Sequence, residues 1–191
     1  MCIKCNFTNT HPKQHGATVL EMLVSVTIIS ILLSLVTPTT QHILTTNRIV
    51  ADINSLSTIT QRGQFSAVNE QMTVTLCPTQ NYSTCTTSWS NAKMLFSDAN
   101  ENGQRDSNEA LIATSDPLNS SNIISGISSP VIFSASGTIN QNTIIVVCPS
   151  DKNRSYASGL ILSFFGRIAT AIDSNGDGFK EDTSGEALSC I

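Results

Sequence analysis

An acidic segment in the middle of the chain has the spacing of a calcium-binding loop. It carries oxygen-bearing side chains at alternate positions, a glycine for a sharp turn and a closing acid: Asp98, Asn100, Asn102, Gly103, Asp106 and Glu109. This fits the pattern D-x-[DN]-x-[DN]-G-x5-E. However, strand-like segments flank the loop where an EF-hand has helices. We favour a hairpin whose Asn and Gly residues supply turn geometry, and keep Ca²⁺ as the alternative cofactor.

A second acidic loop follows the same rule less completely. It reads Asp173-x-Asn175-x-Asp177-Gly178, with Glu181 and Asp182 behind it, and the closing position is Ser184 rather than an acid. A turn is therefore favoured more strongly for this loop than for the first.

Catalytic chemistry has little support in the sequence. The chain has three histidines, at positions 11, 15 and 42, and none of them lies in the C-terminal two thirds. A histidine-dependent general base or triad is therefore not expected there. Trp89, Tyr82 and Tyr156 are interpreted as packing residues. We predict no enzymatic activity.

One charged residue interrupts an apolar segment near the N-terminus. From Ala17 to Val36 there are 20 residues, of which only Glu21 is charged. The segment is long enough to cross a bilayer core of ~30 Å as a helix. An acid in such a helix costs ~2.5 to 3.5 kcal/mol on insertion scales, so Glu21 should have a partner. A secretory signal peptide explains the segment less well, because the run is too long and lacks a cleavage box.

This N-terminal pattern resembles the processing site and first helix of type IV pilins and pseudopilins. Gly16 is followed by a glutamate five residues later, then by an apolar helix and Pro38. The resemblance implies cleavage between Gly16 and Ala17 by a prepilin peptidase, methylation of the new amine, and pairing of Glu21 with the N-terminus of a neighbouring subunit. Ala17 and His15 depart from the usual Phe and Lys or Arg.

The order of motifs further along resembles the GspH/FimT/FimU branch of minor pilins and minor pseudopilins. The matching segments are Val74–Pro78, Cys85, Trp89, Phe96–Gly103, Glu109–Leu111, Val146–Pro149 and Gly166-Arg167. The resemblance implies an α+β fold in which an antiparallel β domain packs on the N-terminal helix.

Charge and cysteine content indicate where the domain lies. Lys4 and Lys13 make the leader basic and favour a cytoplasmic N-terminus. The mature chain keeps eight basic and 14 acidic residues, a net charge of −6. Cys2 and Cys5 belong to the discarded leader. The other four cysteines suit an oxidising space, and of three pairings we favour Cys77 with Cys85 and Cys148 with Cys190.

The predicted organisation has four parts. Residues 1–16 are a cleaved leader, 17–37 a transmembrane helix half, 38–68 an amphipathic half bent at Pro38, and 69–191 an antiparallel β domain. Gly63 is a potential weak point of the helix. Strands are predicted at 72–77, 92–96, 110–113, 131–134, 143–148, 160–165 and 168–172, and residues 118–129 are predicted to form a polar loop.

Nucleic-acid binding is a minority interpretation. FimT-type members act in DNA uptake through Gly-Arg-x-Arg, whereas this chain has Gly166-Arg167-Ile168-Ala169 followed by a cluster of acids. The missing arginine and the acids weaken phosphate binding, so DNA is not an expected partner.

We predict a minor pilin of the bacterial inner membrane that has a single membrane pass and a periplasmic domain. It helps initiate or cap a type IV pilus with other major and minor pilins. An H-type pseudopilin of type II secretion is the alternative, and a DNA receptor the second alternative.

Overall fold

The computed structural model describes residues 16–191, with the backbone alone for residues 35–39. Contacts between backbone segments divide the chain into two units, and the boundary in the sequence falls between His42 and Ile43. The leader predicted for residues 1–16, with Cys2 and Cys5, lies outside the described residues except for Gly16.

The long helix α1 runs from Val19 to Glu70, close to the predicted range of 17–68. Its backbone is helical through position 38, and the side chain of Pro38 lies outside the described residues, so the bend there stays a prediction. Gly63 is not a break in the helix. A Cβ atom at this position would lie 2.6 Å from Phe133 Cε2, so glycine allows the helix to approach the sheet closely.

Eight strands follow within the described residues. They are β1 Val74–Thr79, β2 Ala92–Ser97, β3 Leu111–Ser115, β4 Asn122–Ser125, β5 Val131–Phe133, β6 Thr143–Pro149, β7 Ser158–Leu162 and β8 Ile168–Thr170. They form two four-stranded sheets, ordered β3-β2-β1-β5 and β4-β6-β7-β8. Every strand pair is antiparallel. The predicted α+β class is confirmed.

The main core lies between α1 and both sheets. Apolar side chains of the helix recur at spacings of three and four, which places Ile49, Ile53, Leu56 and Ile59 on one face. They pack with residues of both sheets, among them Leu76, Phe133, Val147 and Leu160. Burying this stripe is what attaches the helix to the β domain.

Two smaller apolar clusters lie on the sheet faces opposite the main core. Each of them contains one disulfide. Cys77 packs with Met94 and Phe96 and is bonded to Cys85. Cys148 packs with Val146, Ala157, Ala171 and Leu188 and is bonded to Cys190. These are the two pairings predicted from the sequence, with Cα atoms 5.6 and 5.9 Å apart.

The prediction of a loop over residues 118–129 is wrong in its centre. Asn122–Ser125 forms β4, which pairs with β6 from Asn122 opposite Pro149 to Ser125 opposite Val146. The strand was not recognisable because it has only two apolar residues, Ile123 and Ile124, between polar neighbours. Its partner strand, more than 20 residues later, supplies the pairing.

Candidate functional site

The predicted processing site lies in non-helical backbone just before α1. Gly16 and Ala17 precede the helix, and Thr18 caps it, because its hydroxyl accepts a hydrogen bond of 3.2 Å from the Glu21 backbone N–H. Thr18 and Glu21 therefore have the T-x-x-E spacing of a capping box. The Glu21 side chain is exposed in the first turn, where an acid also interacts favourably with the helix dipole.

The described part of α1 before His42 presents apolar side chains in every direction. Those of Leu23, Ile28 and Leu33 are each more than half exposed. The hydroxyls of Ser25, Thr27 and Ser30 donate to backbone carbonyls four residues earlier, at 2.7 to 2.8 Å. Polar groups satisfied within the helix suit an environment that offers few hydrogen bonds.

Within the described residues, no helix combines the length and the apolarity that crossing a membrane requires. The membrane span over residues 17–37 therefore stays a prediction.

The Asp98 loop is organised by its own hydrogen bonds. Asp98 is fully buried, and its carboxylate accepts from the Thr75 hydroxyl at 2.7 Å and from the N–H groups of Asn102 and Gly103. The two oxygens of Glu109 accept from the N–H groups of Ala99 and Asp106.

The two amide side chains of the loop complete this arrangement. The Nδ2 atoms of Asn100 and Asn102 both donate to the Asp106 carboxylate. All five predicted ligand side chains of the Asp98 loop therefore take part in hydrogen bonds within the protein.

Arg167 lies behind a tight turn, and its exposed side chain lines the same groove as Glu181 and Asp182. Gly166 has a φ of +82°, and a Cβ atom there would lie 2.2 Å from the Gly137 carbonyl oxygen. Gln64 of α1 donates to the carbonyls of both glycines. Gly166 therefore has a structural role in the turn that does not depend on a phosphate ligand.

A polar cluster brings together half-buried Asp52 on α1, buried Asn122 on β4 and buried Lys93 on β2. Asp52 on the helix accepts hydrogen bonds from the Asn119 backbone N–H and the Asn122 side chain. Lys93 on β2 is only 2 % exposed. Burial lowers the pKa of Lys93 to about 8, although the Asp52 carboxylate acts to raise it. The cost of burying this cation exceeds the gain from its anionic neighbour.

Loss of the proton from Lys93 should make the folded protein more stable at alkaline pH than at neutral pH. Because its pKa falls from 10.5 to about 8 on folding, the unfolded chain binds more protons between these values. The free energy of unfolding should rise by about 2 kcal/mol between pH 7 and pH 10, relative to the Lys93→Met variant. Urea denaturation of both proteins at the two pH values measures this difference. The contribution of Lys180, whose pKa burial also lowers, is present in both proteins and cancels. An equal rise in the variant would show that Lys93 is not the source.

Comparison with known proteins decides the family. The family profile described as Type II transport protein GspH matches residues 52–166. The chain belongs to the GspH family. A second profile, the prokaryotic N-terminal methylation motif, matches residues 11–37 of this GspH-family chain. The segment that was identified from Gly16 and Glu21 is thus recognised independently of the β domain.

The fold of this GspH-family protein is similar to that of a minor pilin of Pseudomonas aeruginosa. One crystal structure of the type IV minor pilin FimU matches with a TM-score of 0.56 and 16 % identity, covering 76 % of this chain and 96 % of FimU. A second crystal form gives 0.52 and 16 %, covering 74 % and 98 %. At this identity the match shows the fold alone. No curated protein sequence matches the chain.

Two features of the site were missed in the sequence. The T-x-x-E spacing of Thr18 and Glu21 could have predicted the helix cap. The Asp52–Lys93 cluster had no local signal, because its members lie on different elements and 41 residues apart.

Proposed function

We propose that this chain is a minor pilin that a prepilin peptidase cuts between Gly16 and Ala17 and that then helps initiate or cap a type IV pilus. The observation that carries the proposal is the presence of an N-terminal methylation motif and a GspH domain on one chain. The FimU fold supports the pilus as the destination, since FimU is described as a type IV minor pilin.

The proposed location is the bacterial inner membrane, with one membrane pass and the β domain in the periplasm. Three observations support it: a leader with lysine as its only charged residue type, exposed apolar side chains on α1 before His42, and two disulfides in the β domain. Disulfides persist in oxidising compartments. The proposed partners are the peptidase, other major and minor pilins or pseudopilins, and the membrane.

Glu21 is the proposed assembly residue. Its side chain is exposed one turn after Ala17, so the carboxylate of one subunit is accessible to the free amine of another. In an apolar filament core this pair would offset the cost of placing an acid there.

Glu21→Ala should leave membrane insertion intact and reduce incorporation into filaments tenfold or more. Removing one partner of a buried ion pair costs about 3 to 5 kcal/mol, and each 1.4 kcal/mol is about tenfold. Immunoblots of membranes and of sheared filaments measure the two steps. Glu70→Ala is the matched control, because it removes an exposed acid from the other end of the same helix. Normal incorporation of Glu21→Ala would contradict the assigned role.

The competing function is an H-type pseudopilin of a type II secretion system, which the description of the matching family favours. Deleting the gene in its native host distinguishes the two. Loss of surface pili with normal export of folded proteins supports the pilus, whereas normal pili with proteins retained in the periplasm support secretion.

A DNA receptor is the least favoured of the three functions. Arg167 shares its groove with Glu181 and Asp182, and Gly166 is required by the turn. The acids repel the phosphate backbone where a receptor needs positive charge.

A further inference from the structure

Three carboxylates converge in the loop that follows β8. One oxygen each from Asp173, Asp177 and Glu181 lies within 4.8 Å of the others. Like charges at this separation repel one another, and the repulsion is stronger where water is partly excluded. Among the described residues, this is the group of acids whose geometry could hold a metal ion.

Glu181 provides independent evidence for a ligand. It is only 4 % exposed, and its Oε1 atom is buried without a hydrogen-bond partner. Its Oε2 atom accepts from both the backbone N–H and the hydroxyl of Ser174, each at 2.7 Å. Leaving a buried anionic oxygen unpaired is costly, so a bound cation is a direct explanation for its position.

The other two acids retain acceptor capacity. The two oxygens of Asp173 accept one N–H each, from Gly176 and Gly178. Those of Asp177 accept one N–H each, from Phe179 and the side chain of Asn175. A carboxylate has about four lone-pair sites, so two remain on each side chain.

We propose that the loop from Asp173 to Glu181 binds one calcium ion through the carboxylates of Asp173, Asp177 and Glu181. All three ligands are carboxylate oxygens, which suit calcium and magnesium better than zinc, because zinc prefers nitrogen and sulfur ligands. An irregular, solvent-exposed loop suits the adaptable coordination of Ca²⁺ better than the strict octahedron of Mg²⁺. Because Ser184 replaces the closing acid, the dissociation constant should be about 10⁻⁴ to 10⁻³ M.

The Asp98 loop illustrates why geometry rather than pattern selects the site. It is the better match to the calcium-loop pattern, yet every carboxylate oxygen of its two buried acids, Asp98 and Glu109, accepts a hydrogen bond from the protein, so neither acid leaves a buried oxygen unpaired. In the second loop one oxygen of the buried acid has no such bond.

Calcium at this position would stabilise the C-terminal segment. Glu181 pairs with Ala187, and the Leu188 N–H donates to the Lys180 carbonyl at 2.8 Å. Two residues further, Cys190 is bonded to Cys148 on β6. An ion that holds Asp173 and Glu181 together therefore fixes the loop that precedes this attachment.

The test is calcium binding by the full chain in detergent after treatment with a chelator. Calorimetry with calcium alone should show saturable heat, and the Tm should rise by about 3 to 6 °C at ten times the dissociation constant. Asp177→Asn should weaken binding tenfold or more, and so should Glu181→Gln. Asp106→Asn is the matched control, because it removes one acid from the other loop and should leave binding unchanged.

Three results would overturn the proposal. The first is no heat and no Tm shift in the wild type with about 10 mM calcium, which exceeds the expected dissociation constant at least tenfold. The second is unchanged binding by Asp177→Asn, whose exposed side chain makes misfolding an inadequate explanation if Glu181→Gln fails to fold. The third is an equal response to magnesium, which would indicate an adventitious ion only.

Discussion

Gly16→Leu is expected to leave an uncut precursor that does not enter filaments. The structure separates this effect from folding, because a Cβ atom at Gly16 would have no neighbour within 4 Å. A larger side chain therefore disturbs nothing in the described protein, and the loss must arise at the peptidase. Uncut protein retains the polar, basic leader ahead of α1, and so lacks the free amine that Glu21 is proposed to bind.

The expected loss of processing is nearly complete. Immunoblots should show the variant 16 residues longer than the mature protein, and N-terminal sequencing of the wild type should begin at Ala17. Thr18→Ala is the control, since it removes the helix cap at a cost of about 1 kcal/mol but keeps the glycine. Mature protein beginning at Ala17 in Gly16→Leu, or at another residue in the wild type, would contradict the assigned site.

Local patterns predicted most of the fold. The range of α1 followed from apolar spacings of three and four together with an N-terminal glycine, both of which lie within one segment. Seven of the eight strands were anticipated, because β-branched residues cluster between turn residues. Both disulfides joined the cysteines that the sequence favoured.

The features that were missed depend on contacts between distant segments. Strand β4 exists because β6 pairs with it, and the arrangement of strands in two sheets cannot be derived from their positions in the chain. The ranking of the acidic loops likewise depended on Thr75, which satisfies Asp98 from 23 residues away. A calcium pattern specifies which oxygens are available, but the tertiary structure decides which buried oxygen is left without a hydrogen bond.

The disulfide between Cys148 and Cys190 should be the larger of the two contributions to stability. It closes a loop with a sequence separation of 42, whereas Cys77 and Cys85 are separated by eight. The chain-entropy relation then gives losses of about 4 and about 2.6 kcal/mol when each is removed. Cys148→Ala with Cys190→Ala should therefore lower the Tm more than Cys77→Ala with Cys85→Ala, by several degrees.

Core packing is similar around the two disulfides, which makes the comparison informative. Cys77 and Cys148 are almost equally buried, at 0 and 1 % exposure, so replacing either with alanine removes a similar amount of core. Their partners differ in what they hold: Cys85 closes a short polar loop, whereas Cys190 fixes the chain end that follows Glu181 and Leu188. Urea denaturation of the two double variants, each compared with the oxidised wild type, measures each loss. The wild type under reducing conditions measures the loss of both disulfides together. Equal losses would show that the native-state contacts of the sulfur atoms outweigh the restriction of the unfolded chain, and the entropic explanation would then be wrong for this domain.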